Sequence, residues 1–137
     1  MKALLPALAA LSLPTIAWAQ VAPGDPGAGT QRGIQQLNNS GQVGSVTLFR
    51  QGARTLVVVG LEGSPPGRRQ SVRIYRAAAC DAMTNKPVYF LADLASGHSS
   101  TMVQASEDKL LSGNYSLVVF SDNHAGARMS ACGHLYA

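Results

Sequence analysis

The chain has 137 residues, a formal net charge of +4 and only 13% charged residues. The aromatic residues are not interleaved with the basic ones as stacking platforms require, which argues against a nucleic-acid-binding protein. Beyond the N-terminal residues, no apolar run is long enough to cross a bilayer, which argues against a multi-span membrane protein.

The first residues are typical of a secretion signal. Lys2 precedes a short apolar stretch that contains Pro6 and Pro14, and the residues at 17–19, Ala-Trp-Ala, fit the small-x-small cleavage rule. A membrane anchor or a buried helix is the alternative, but the run is short and interrupted by proline. We therefore predict a signal peptide over 1–19, no transmembrane segment after its cleavage, and a periplasmic or secreted product.

Residues 20–33 are rich in Gly and Pro and have little to bury, which predicts a flexible leader before a domain at 34–137. That domain holds short β-branched and aliphatic runs separated by turn residues, which favours an antiparallel β-sandwich or barrel. The predicted strands are 45–49, 55–61, 71–75, 88–92, 101–105, 115–120 and 131–135. Residues 106–113 instead predict one helical turn, with Ser106 as its N-cap and Gly113 at its end.

Cys80 and Cys132 are the two cysteines of the chain. Export makes a disulfide permissible, and an even pair in an exported chain is most simply one bridge. Two free reactive thiols are the alternative. A bridge that closes a loop of about fifty residues contributes roughly 4 kcal/mol to stability in the chain-entropy estimate.

Four arginines lie close together in the sequence. They are Arg68, Arg69, Arg73 and Arg76. We favour a solvated face for these side chains. The alternative is a site for an anion or an acidic surface.

Several segments are similar to a known family. The stretches that carry the similarity are LNNSGQVGSVTLF, LEGSPPGRRQ, SVRIYRAAAC and LLSGNYSLVVFSDNHAGARMSACGHL. They resemble bacterial exported β-sandwiches related to chordin-like (CHRD) domains and to the copper/zinc superoxide dismutase fold. The resemblance covers about residues 35–136 and implies a Greek-key sandwich or barrel of about seven or eight strands. It also matches Cys80 and Cys132 to the family's bridged cysteines.

The resemblance further implies that the copper site has been lost. Metal-binding relatives carry H-x-H in the strand before the loop cysteine and a third histidine late in the strand ending YSLVVF. Here the matching positions are Arg73, Tyr75 and Phe120. The strand-like alternation of SVRIY also predicts that Arg73 and Tyr75 project to one face and Val72 and Ile74 to the other. Copper takes neutral imidazole or thiolate donors, whereas arginine stays protonated and phenylalanine has no donor atom. We hypothesise that these three side chains come together where the metal would lie, with the arginine over an aromatic ring.

Three histidines remain, and none forms an H-x-H pair. His98 and His124 lie in predicted turns and His134 follows the second cysteine, so we interpret all three as surface or loop residues. A low-affinity copper or zinc site made by His124 and His134 is the alternative. Arg128 matches the dismutase arginine that guides the anionic substrate; without a metal, it would steady a turn or bind an anion.

Together these features predict an exported, non-catalytic domain without a cofactor, acting as a binding or structural envelope protein. Its expected partner is an unidentified envelope protein or an anionic surface. The first alternative is a superoxide dismutase or copper-binding protein with a rearranged site. The second is an anion-binding module built on Arg68, Arg69, Arg73, Arg76 and Arg128. No G-x-S-x-G elbow or phosphate-binding glycine loop points to another enzyme class.

Overall fold

The computed structural model describes residues 29–80 and 86–136. The predicted signal peptide and the leader up to residue 28 lie outside the described residues. The described part forms eight strands and one helix: β1 (Thr30–Gln36), β2 (Val43–Gln51), β3 (Arg54–Glu62), β4 (Arg69–Tyr75), β5 (Tyr89–Ala95), β6 (His98–Val103), α1 (Glu107–Ser112), β7 (Ser116–Phe120) and β8 (Met129–His134). None of the described residues belongs to a helix that is both long and apolar enough to cross a membrane.

Alternating side chains build the strands. In β3, Val57 and Val59 point to one face and are fully buried, while Val58 between them is partly exposed on the other face. This alternation follows from the pleat, which sends successive side chains to opposite faces. β-branched residues pack well on such a half-buried surface. The strand predicted over 55–61 therefore forms, with one further residue at each end.

The strands close into one antiparallel barrel in the order β1-β2-β3-β6-β5-β4-β7-β8. Strands β4, β5 and β6 follow one another as neighbours, and β7 returns to lie beside β4. This connectivity is a Greek key. The all-β, antiparallel architecture predicted from the sequence is therefore confirmed.

Aliphatic side chains from all eight strands fill the barrel interior. The largest fully buried ones are Ile34, Leu48, Ile74, Leu94 and Leu117 on the strands, with Leu110 from α1 and Leu135 just after β8. Burying one such side chain contributes about 1.5–3 kcal/mol relative to leaving it in water. We call this cluster the inner core.

The boundary of the predicted leader is wrong, because β1 begins at Thr30. Residues Thr30 to Gly33 pair with β2, with Thr30 opposite Leu48. The Thr30 hydroxyl also donates a hydrogen bond to Glu107 at the start of α1. Strand pairing uses backbone groups that every residue carries, so this polar segment forms a strand without an apolar pattern of its own.

The strand predicted over 101–105 lies earlier, at His98–Val103, so His98 belongs to a strand and not to a turn. The Ser99 hydroxyl donates to the carbonyl of Ala92 at 2.6 Å, and the Thr101 hydroxyl accepts from the Ala92 N–H at 2.8 Å. These side-chain hydrogen bonds join β6 to β5, in addition to the backbone pairing of Ala95 with His98. The polar residues from His98 onward, which the sequence predicted as a turn, are therefore part of the barrel.

The predicted helical turn forms as α1. The Ser106 hydroxyl accepts a hydrogen bond from the N–H of Lys109 at 3.1 Å, which is an N-cap. The N–H of Gly113 donates to the Lys109 carbonyl at 3.0 Å and ends the helix. Both predicted end residues are therefore confirmed.

Candidate functional site

A second hydrophobic cluster lies outside the barrel, on the outer face of β4, β7 and β8. Its buried members are Tyr75, Ala77, Val118 and Cys132, and its partly buried members are Leu37, Cys80, Phe120 and Met129. The alternation of β4 explains its position, because Val72 and Ile74 point into the inner core. Arg73 and Tyr75 therefore project outward, as the sequence predicted. We call this set the outer cluster.

A disulfide bridge between Cys80 and Cys132 covers this face. Their Cα atoms are 6.1 Å apart, and the two residues are 52 positions apart in the sequence. The bridge holds residues 76–80, which follow β4, against β8. In the same segment, the Ala77 carbonyl accepts a 2.7 Å hydrogen bond from the Ser116 hydroxyl. The predicted bridge is confirmed, and the alternative of two free thiols is wrong.

The covering segment explains why Tyr75 is only 8% exposed although it points away from the inner core. Tyr75 is paired with Ser116 on β7, two positions along the strand from Arg73. It belongs to the same outer cluster as Phe120. Tyr75 thus lies on the outer face of the barrel but is buried by the segment that follows β4.

The guanidinium of Arg73 lies between two aromatic rings. Its central carbon is 5.2 Å from the ring centroid of Phe120 and 5.5 Å from that of Phe90. Phe90 lies directly opposite Arg73 on β5. Distances below about 6 Å are those of a cation–π interaction, worth about 0.5–2 kcal/mol depending on desolvation. The hypothesised contact between Arg73 and Phe120 is therefore present. We call these three residues the Arg73 stack.

Phe90 is the site residue that sequence reasoning missed. It is 68% exposed, more than any other large hydrophobic side chain of the described residues. The alternation of VYFLA places Phe90 on the outer face, since Tyr89 and Leu91 pack with the inner core. The sequence alternation could therefore have shown that Phe90 faces outward. Only the register between β4 and β5 places Phe90 beside Arg73.

Arg73 has no acidic partner among the described residues. The ion pairs there join Arg50 to Glu107 and to Asp108, and His124 to Asp122. Within the described part of the chain, the Arg73 charge therefore faces aromatic rings and solvent. Its N–H donors remain open to a carboxylate from another molecule.

A cavity of about 450 Å³ adjoins the outer cluster beside the disulfide. It is lined by Leu37, Asn38, Ala79, Cys80, Met129 and His134. The Asn38 side-chain amide donates to the Met129 carbonyl at 2.8 Å, which ties the turn after β1 to β8. The cavity is the opening left where the covering segment meets this turn.

The two histidines of the predicted metal alternative lie far apart. His134 ends β8, where its Nδ1 is 3.1 Å from the Ser116 hydroxyl and its ring centroid is 5.0 Å from that of Tyr136. His124 lies beyond the other end of β7, in the connection to β8. The β7–β8 ladder lies between the two residues, so roughly 15 Å separates their backbones. Because zinc–nitrogen bonds are about 2 Å long, this placement argues against a shared site.

No three His, Cys, Asp or Glu side chains of the described residues are grouped so that they could hold a metal ion. The ligand positions implied by the family resemblance, Arg73, Tyr75 and Phe120, lie together on the outer face. Their interpretation as a former metal site remains a prediction.

The predicted arginine group does not converge on one point. Arg69 begins β4 and Arg76 follows its end, so roughly 20 Å of strand separates their backbones. Arg128 lies in the connection between β7 and β8, where its carbonyl accepts a 2.7 Å hydrogen bond from the N–H of Ser121. Arg68, Arg69, Arg76 and Arg128 are all exposed. Of the five arginines, only Arg73 packs against aromatic rings in the described part of the chain.

Comparisons with family models, with curated proteins and with solved structures find no match to this chain. The relation to chordin-like and dismutase-like proteins therefore remains a prediction from the sequence. The observed parts of that prediction are the antiparallel barrel and the Cys80–Cys132 bridge.

Proposed function

We propose that this chain is an exported, non-catalytic binding domain that has lost the copper site of dismutase-like relatives. Its contact surface is the Arg73 stack, and its partner is an envelope protein that presents a carboxylate beside an apolar side chain. The observation that carries the proposal is a guanidinium packed between two rings, one of which is 68% exposed.

The composition of the stack supports a role in binding. Arginine and aromatic residues are enriched among the side chains that contribute most to protein–protein interfaces. The rings of Phe90 and Phe120 already restrict Arg73, so less side-chain freedom is lost when a partner binds. Because no described carboxylate pairs with Arg73, a partner's acidic group would make a new charge-assisted hydrogen bond.

The residues at the implied ligand positions support the absence of copper chemistry. Arg73 and Phe120 offer no atom that can coordinate a metal, and their contact occupies the outer face with a guanidinium and a ring. The Greek-key barrel and the disulfide support the relation to the dismutase-like family. Without imidazole donors, the same framework serves as a scaffold for a contact surface.

The proposal is tested by placing a photo-crosslinking amino acid at position 90 in cells that produce the protein. We expect a discrete adduct from position 90 that is lost when Arg73→Gln is added. The matched control is position 102, because Met102 is also an exposed apolar residue but lies on β6. Equal adducts from both positions, or an adduct that survives Arg73→Gln, would contradict the proposed surface.

The same preparation tests the loss of the copper site. The purified protein, with its disulfide intact, is dialysed against copper and zinc near pH 7, and the bound metal is counted. We expect no stoichiometric retention. Retention of about one copper per chain would overturn the proposed loss of the metal site, and replacing Tyr75, His124 and His134 in turn would then identify the ligands.

A further inference from the structure

A depression of about 560 Å³ lies on other strands of the barrel, where β1, β2, β3 and β6 meet. Ser45, Gly60 and His98 form one row across β2, β3 and β6. Ser45 has a small side chain and Gly60 has none, so the molecular surface is recessed at the centre of this row. Volumes of about 300–1,000 Å³ are typical of small-molecule sites.

Gly60 is not explained by the needs of the barrel. Its φ is not positive, and a Cβ atom added there would meet no atom within 4 Å. Glycine inside a strand costs about 0.5–1 kcal/mol relative to alanine. A glycine in such a position often marks a place where a ligand approaches the backbone.

The neighbouring glycine on β2 provides the contrast. A Cβ atom on Gly44 would collide with the carbonyl oxygen of Gly60, so close strand approach requires glycine at position 44. The same requirement does not apply to Gly60, whose missing side chain leaves the depression open. Strand packing thus requires glycine at position 44, whereas glycine at position 60 leaves the depression open.

Each of the polar side chains around the depression can accept a hydrogen bond, and the Glu62 carboxylate can only accept. Glu62 supplies a carboxylate, His98 an imidazole and Gln35 a side-chain amide. Glu62 is exposed and is in none of the ion pairs of the described residues. Val43, which is 40% exposed, adds an apolar wall. One uncompensated negative charge, several acceptors and an apolar wall together suit a compact cation that donates hydrogen bonds.

An organic ammonium fits this lining better than a metal ion. Glu62 and His98 are the only lining side chains of the kinds that usually ligate metals, and no described group of three such residues is placed to hold an ion. An ammonium group has three N–H donors, and its alkyl chain can lie on Val43. We propose that this depression binds a primary ammonium group on a short alkyl chain, with Glu62 as the counter-charge.

A primary ammonium group on a short alkyl chain has two sources, a free small amine and a lysine side chain. The probes are therefore n-butylammonium and lysine capped as its N-acetyl methylamide, with n-butanol as the uncharged control. Amide chemical shifts of the full chain are followed during titration at constant ionic strength, because salt screens exposed charges. We expect saturable shifts at Ser45, Gly60 and His98 with the ammonium probes and not with butanol.

Two variants test the assignment. Glu62→Gln should weaken binding at least about fivefold, as loss of a charge-assisted hydrogen bond does. Gly60→Val should abolish binding while the fold is kept, because the open space admits the side chain and valine favours strands. The matched controls are Asp108→Asn, the same charge change on α1, and Ser100→Val, which places the same side chain at an exposed small residue two positions from His98 on β6.

Saturable binding of either probe that is lost in the test variants and kept in the controls supports the site. If the capped lysine binds as well as butylammonium, the natural ligand is a lysine side chain; if only butylammonium binds, it is a free amine. Shifts that do not saturate, equal binding of butanol, or equal weakening by Asp108→Asn would overturn the proposal. The site shares no residue with the Arg73 stack, so its failure and that of the proposed function are independent.

Discussion

The inner core and the outer cluster are both apolar, but they are held together differently. Every strand contributes to the inner core, and its side chains are enclosed by the barrel itself. The outer cluster lies on one face of three strands and is covered by residues 76–80, which the Cys80–Cys132 bridge ties to β8. The comparison indicates that closure of the sheet stabilises the barrel. The outer cluster depends on a covalent bond, and its edge is left open at the Arg73 stack.

Removing the bridge should have the largest effect and should separate the two clusters. Replacing both cysteines with serine should lower the free energy of unfolding by about 4 kcal/mol in the chain-entropy estimate. Urea denaturation measures this loss. Hydrogen exchange should show added exposure first at Tyr75 and Val118, before the inner strands. A loss below about 1 kcal/mol would show that the outer cluster holds without its bridge.

A matched pair of valines sharpens the comparison on a single strand. Val118 and Val119 are neighbours on β7 and both are 0% exposed, but Val118 belongs to the outer cluster and Val119 to the inner core. We expect Val119→Ala to cost about 2–3 kcal/mol and Val118→Ala about 1 kcal/mol less, because a covering segment can collapse into a cavity more readily than a closed barrel. Equal losses in denaturation experiments would contradict this difference.

The Arg73 stack should give the smallest effect on stability. A double-mutant cycle with Arg73→Ala and Phe120→Leu should give a coupling energy of about 0.5–1 kcal/mol, the range of a partly exposed cation–π pair. Arg76→Ala is the control, since Arg76 is an exposed arginine just beyond β4 and takes part in neither of the two cation–π contacts. A coupling no larger than that between Arg76 and Phe120 would mean that the rings do not hold the guanidinium.

Several parts of the site followed from local pattern. The alternation in SVRIY set Arg73 and Tyr75 on the face opposite Ile74, and the structure shows this parity. The position of Phe120 came from the family resemblance, and its ring is indeed beside Arg73. Phe90 was not found, because its place depends on how β5 pairs with β4. The burial of Tyr75 was not found either, since it depends on the path of the chain after β4.

Side-chain pattern alone determined seven of the eight strands to within a few residues, the caps of α1 and the pairing of the two cysteines. These features are local, or depend on residue type alone. Only the tertiary structure decided that polar residues from Thr30 form β1, that His124 and His134 lie at opposite ends of a ladder, and that the sheet closes. The physical reason is that register and closure depend on backbone hydrogen bonds between distant segments. Those bonds use the same N–H and C=O groups in nearly every residue.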